Sequence, residues 1–227
     1  MRADDDGNEF LRSIVHAEFD AHATYRDVRR LCLEAAHYRL GAVFIHPVHC
    51  ARAMEALAGS DVRIIAAVAF PTGAFTIAGK VCEARDALSR GADGICYVVD
   101  VGALRSGKDA AIADEMRALR EAVRDRPLTA VLETSALTDE QTERACILAA
   151  DATIDFIAPA TGFVTTREPL IEAVRRMTKL AAPHVGIAAL GEIETLDTAH
   201  ALIDAGATRL YTATGVQIAQ ESQENTS

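Results

Sequence analysis

Eight short apolar runs, each followed by a longer amphipathic stretch, set the strongest limit on what this chain can fold into. The runs are "SIVHAEF" (13–19), "GAVFIH" (41–46), "VRIIAAVAF" (62–70), "GICYVVD" (94–100), "LTAVLET" (128–134), "DFIAPA" (155–160), "VGIAAL" (185–190) and "RLYTAT" (209–214). Between them, segments such as "TYRDVRRLCLEAAHYRL", "KDAAIADEMRALREAVRDR" and "TDEQTERACILAAD" carry apolar residues at three- and four-residue spacing, the period of a helix with one buried face. Thr24, Thr138 and Thr195 stand where N-caps are expected, because a threonine hydroxyl can accept from a free N–H of the first turn. Strand and helix in regular alternation predict a parallel sheet. Eight such units in 227 residues predict a (β/α)8 TIM barrel, an α/β fold, as a single domain. A doubly wound open sheet would offer a glycine-rich first turn, which is missing.

The barrel is expected over 10–218, with residues 1–9 and 219–227 as disordered tails on composition. A net charge of -10 leaves no basic face for nucleic acid. No apolar run reaches the roughly 18–20 residues that span a bilayer, and "MRADDDGNEF" is unlike a signal peptide. Five scattered cysteines without CxxC spacing predict a reducing, cytoplasmic setting, with no disulfide framework. No HxH or HExxH spacing suggests a metal site, and no cofactor is expected.

Several stretches resemble the deoxyribose-phosphate aldolase family, in family order and over nearly the whole length: "RRLCLEAAHYRLGAVFIHP", "VAFPTGAFTIAGKVCEARDALSRGADGI", "GALRSGK", "AVLETSALTDEQ", "DFIAPATGF" and "ALIDAGATRL". The resemblance implies the same barrel and, at first sight, Schiff-base chemistry. Carried over position by position, it places Ala158 where the family has its imine-forming lysine. Ala188 falls where a second lysine lowers the pKa of the first, and Cys96 where an aspartate relays protons. Val15 and Ala17 replace a polar pair on the first strand. Alanine has no lone pair with which to capture a carbonyl. The whole chain holds three lysines, Lys80, Lys108 and Lys179, which the pattern places on helices. Of the phosphate-binding glycines the resemblance implies, Gly191 remains, while Glu192 and Tyr211 replace two others. A carboxylate beside a phosphate is repulsive by about 1 to 4 kcal/mol.

Period-two alternation assigns Phe44, His46, Cys96, Asp100, Glu133, Ala158, Ala188 and Tyr211 to the barrel mouth. His46, Glu133, Asp100 and Cys96 are the candidate acid, base and nucleophile. Phe44, Ala158, Thr161, Ala188, Gly191, Glu192 and Tyr211 are the candidate substrate contacts. The expectation is an aldolase-like barrel that has left class I imine chemistry for acid/base work of lyase, cyclase or isomerase type. Its substrate would be a non-phosphorylated small molecule, with specialised metabolism as the setting. A non-catalytic pseudoenzyme or binding protein is the alternative, and an aldolase using an atypical residue the second. A homodimer is implied by the resemblance alone.

Overall fold

A computed structural model describes residues 3–163 and 168–225. Its eight strands are β1 Ile14–Glu18, β2 Ala42–Ile45, β3 Arg63–Val68, β4 Gly94–Val98, β5 Leu128–Val131, β6 Phe156–Ala158, β7 Gly186–Leu190 and β8 Ala207–Thr212. They close in sequence order into one parallel barrel, with β8 returning to β1 through Val15 opposite Tyr211. The expected fold is the observed one.

Around it lie α1 Ala3–Ser13, α2 Tyr25–His37, α3 Cys50–Ala56, α4 Ile77–Ser89, α5 Val101–Arg105, α6 Asp109–Val123, α7 Asp139–Asp151, α8 Leu170–Leu180, α9 Leu196–Asp204 and α10 Gly215–Glu224. Thr24 and Thr138 close capping boxes with Asp27 and Gln141, and the Thr195 hydroxyl accepts from Thr198 N. Each satisfies a first-turn N–H that has no partner inside its helix.

The strands divide their side chains between two apolar layers, as the pleat requires. On β4, Ile95 and Tyr97 face the helices while Cys96 and Val98 face the barrel axis; on β2, Val43 and Ile45 face out while Ala42 and Phe44 face in. The axis is filled by small residues (Ala42, Ala67, Ala158, Ala188) set among large ones (Phe44, Ile65, Tyr211). The lumen is therefore a packed core and not a pore.

Both composition-based tails are largely helical. Ala3–Ser13 forms α1, and 219–224 belong to α10, whose Ile218 and Ala219 are wholly buried. A short apolar stripe facing the barrel is enough to hold a helix that is otherwise polar. Residues 1, 2, 226 and 227 lie outside the described residues. Two further helices, α3 and α5, stand where the sequence pattern suggested none. Each is at most seven residues long, too short to display a period.

Candidate active site at the C-terminal mouth of the barrel

The ends of β1, β2 and β3 deliver Phe19, Phe44 and Phe70 to one place, and the loop after β6 adds Phe163. Phe19 packs against Phe44 at 4.5 Å, against Phe70 at 5.1 Å and against Phe163 at 6.0 Å between ring centroids. Phe70 meets Phe163 edge-on at 5.6 Å. Such tilted, stacked and edge-to-face contacts add to the burial of the rings themselves. Together with Ala17, Leu190 and Tyr211 they line a cavity of about 180 Å3, with Thr161 and Glu192 among its few polar side chains. A larger hollow of about 550 Å3 continues past Gly191 toward Glu168, whose carboxylate is held by Arg176 at 2.6 Å.

Two glycines shape the rim. Gly162 has φ +80° and Gly191 φ +145°, conformations that favour glycine. A Cβ on Gly162 would lie 2.9 Å from the Cα of Gly191. The loops after β6 and β7 thus touch backbone to backbone, which is the local reason for "TGF" and "LGE".

The positions that the resemblance marks as catalytic lie below this cavity. Ala158, Ala188 and Cys96 are fully buried in the axial core, and none of them lines the mouth. Burial holds the Cys96 thiol far above its ordinary pKa, so it is a small apolar group and not a thiolate. This corrects its assignment as a nucleophile.

Asp100 also departs from its expected role. Its strand ends at Val98, and Asp100 becomes the N-cap of α5, with Oδ1 accepting from Ala103 N at 3.0 Å. Its own N–H donates to Glu115 at 3.3 Å. Glu133 sits at φ +51°, with one carboxylate oxygen accepting from Thr161 N at 2.7 Å. The other oxygen is buried without a hydrogen-bond partner among the described residues. Glu133 therefore braces the β6 loop from beneath and does not line the cavity. His46 lies behind the aromatic cluster, its ring 4.8 Å from that of Phe19. Burial, helped by the nearby His49, lowers its pKa, which keeps the imidazole neutral near pH 7.

Tyr211 lines the mouth with its ring, edge-on to Phe44 at 5.0 Å. Its hydroxyl reaches away from the mouth to Thr129, 3.4 Å distant. The hydroxyl therefore offers nothing to a ligand in the mouth. Of the expected contacts, Phe44, Thr161, Gly191, Glu192 and Tyr211 line the cavity while Ala158 and Ala188 do not. Phe19 and Phe70, each just past a strand end, were not among the expected site residues.

Around the start of α10, where the resemblance implies a phosphate, the hydroxyls of Thr212 and Thr214 are engaged, while the Thr214 side chain caps none of the first-turn N–H groups. Thr212 and Thr214 both donate to Ile193 O, at 2.8 and 2.5 Å, and Thr214 N donates to Thr212 Oγ1 at 3.0 Å. Glu192 is exposed on the adjacent rim. Among the described residues no group of three or more His, Cys, Asp or Glu side chains could hold a metal ion. Among the described residues no helix is long and apolar enough to cross a membrane.

None of the three lysines lines the mouth. Lys80 is fully buried on the outer side of β4, donating to Val98 O at 2.9 Å and to Glu115 at 2.7 Å. Lys108 precedes α6 and Lys179 lies in the last turn of α8, both exposed.

A single-domain barrel of eight parallel strands, with a hollow where the strands end, defines a (β/α)8 barrel protein with its candidate site at the C-terminal face. No protein-family model matches the chain, but curated relatives do. It is 38% identical over 205 residues to the deoxyribose-phosphate aldolase of Brevibacillus brevis, covering 90% of this chain and 92% of the relative. With that of a Geobacillus species the identity is 35% over 219 residues, covering 96% and 98%. The chain belongs to the deoxyribose-phosphate aldolase family. Among solved structures, the aldolase QR15 superposes with a TM-score of 0.90 at 27% identity, covering 96% of this chain and 97% of that one. The tetrameric deoxyribose phosphate aldolase of Aeropyrum pernix has the same fold, with a TM-score of 0.88 at 22% identity, covering 96% and 93%.

Proposed function

We propose that this member of the family does not cleave carbon–carbon bonds through an imine and instead binds a small, uncharged, largely apolar ligand at the C-terminal mouth. One observation carries the reading: four phenylalanines line or close the mouth above the buried Ala158 and Ala188, which the resemblance, and not the structure, assigns to a Schiff-base lysine pair. Imine formation needs a free amine within bonding distance of the carbonyl, and the three lysines lie elsewhere. The low polarity of the walls suits a neutral ligand. The carboxylate of Glu192 and the occupied hydroxyls of Thr212 and Thr214 weigh against a phosphorylated one. Binding is favoured over acid/base turnover because Asp100, Glu133 and Cys96 are committed to a cap, a loop brace and the core.

The chain contains no tryptophan, so indole fluorescence can be followed without background. Indole should bind saturably, and Ala17→Phe, which fills the cavity, should abolish binding while the far-ultraviolet spectrum is kept. Absence of saturable binding by indole and by benzaldehyde would sink the proposal.

A second reading is favoured by the 35–38% identity to aldolases over at least 90% of the chain: lyase activity through an atypical residue. Release of acetaldehyde from deoxyribose 5-phosphate by the purified protein would establish it.

A further inference from the structure

The opposite end of the barrel, where the strands begin, contains a second hollow of about 390 Å3 that the reading above does not use. Arg12 at the end of α1, Arg63 at the start of β3 and Arg209 on β8 all line it. None of the three forms an ion pair with a described carboxylate, although Arg120, Arg144 and Arg176 each do. Arg209 stacks its guanidinium over the Phe156 ring, 5.3 Å from the centroid, and donates to Thr208 O at 2.7 Å. Stacking fixes the plane of the fork and leaves other N–H groups free. Among the described side chains the one carboxylate in the wall is Asp61, which is exposed. Among these described side chains, three positive charges against one negative leave a surplus of two in a chain whose net charge is -10.

The inner wall adds a donor. Thr129 and Tyr211 are 2% and 5% exposed, and their hydroxyls share a single long contact of 3.4 Å. Whichever hydroxyl donates, the hydrogen of the other finds no acceptor among the described residues, and a buried donor left unmade is costly. The missing element is therefore an acceptor, and the surrounding surplus charge calls for an anionic one. Planar guanidinium forks match the paired oxygens of a phosphate or carboxylate. The volume exceeds that of the anionic group alone, and the side chains of Ile65, Ile95 and Phe156 offer apolar surface to the remainder of a small organic molecule.

We propose that the N-terminal end of the barrel is a binding site for a small oxyanion-bearing ligand, its phosphate or carboxylate group held among Arg12, Arg63 and Arg209 beside the Tyr211–Thr129 hydroxyl pair. The site is separate from the mouth except for Tyr211, which has its ring in one hollow and its hydroxyl in the other.

Isothermal titration with inorganic phosphate, and separately with succinate, at ionic strength held constant with chloride tests the site. Saturable binding of at least one anion is expected. Arg63→Gln/Arg209→Gln should weaken it by about tenfold or more, and Tyr211→Phe should weaken it by a smaller factor. Melting in chloride alone checks that each variant folds, and Arg12→Gln/Arg63→Gln serves if the first pair does not. No saturable binding of either anion, or equal affinity in wild type and the folded double variant, overturns the proposal.

Discussion

Lys80 Nζ stands 2.7 Å from Glu115 Oε2, with both side chains inside the outer layer of the barrel. Burial lowers the pKa of Lys80 and raises that of Glu115, and each opposes the shift of the other. The one lysine near the strands is thus a bridge between α4, α6 and Val98 O. Removing one partner leaves a buried charge without a counter-ion, which costs about 3–5 kcal/mol, whereas replacing both with apolar groups is often neutral. Lys80→Met should therefore lower the unfolding free energy by about that amount, and Lys80→Met/Glu115→Leu should regain most of it. Urea unfolding curves measure both. A Lys80→Met protein as stable as wild type would remove the structural role.

The touching glycines at the rim give a graded prediction. Gly107 also has a positive φ, +66°, but a Cβ there would meet nothing within 4 Å. Gly107→Ala carries only the backbone penalty, while Gly162→Ala adds a collision with Gly191. Gly162→Ala should cost about 1–3 kcal/mol, lower the melting temperature more than Gly107→Ala, and weaken indole binding. Equal melting temperatures would contradict the close approach.

Stability should fall on mild acidification. His16 is buried against Thr212 O and Glu34, each at 3.4 Å, and its pKa is lowered by burial, with the Glu34 hydrogen bond opposing. His46 is lowered too, first by burial. A histidine that resists protonation when folded binds fewer protons than its unfolded counterpart. The stability it contributes is full above about pH 6.5 and is lost as pH falls from there toward the folded value. Melting temperatures between pH 7.5 and pH 5 should decline, with a shallower slope in His16→Gln and in His46→Gln. An unchanged slope in both variants would contradict the assignment.

The barrel was legible because its eight runs are long enough to alternate, and alternation gives the inward direction of Phe44, Cys96 and Ala158, although Cys96 and Ala158 lie below the mouth to which it assigns them. Legibility ends where the strands do. Asp100 lies two residues past Val98, where the chain turns to cap α5, so strand parity carried it wrongly into the mouth. Phe19 and Phe70 lie one and two residues beyond β1 and β3, and period two no longer says which way they face. For Tyr211 parity gave the inward direction. It is silent on the tilt along the axis, which sends the hydroxyl to Thr129. The polar composition of 219–227 conceals that 219–224 continue α10, which is anchored by the buried Ile218 just before them.

The proposal that no imine-forming lysine serves the mouth is tested most directly by trapping. The protein is incubated with deoxyribose 5-phosphate and sodium borohydride, beside the Brevibacillus brevis relative as a positive control, and its intact mass is recorded. An unchanged mass is expected under conditions that fully label the relative. A stoichiometric adduct mapped to Lys80, Lys108 or Lys179 would contradict the proposal.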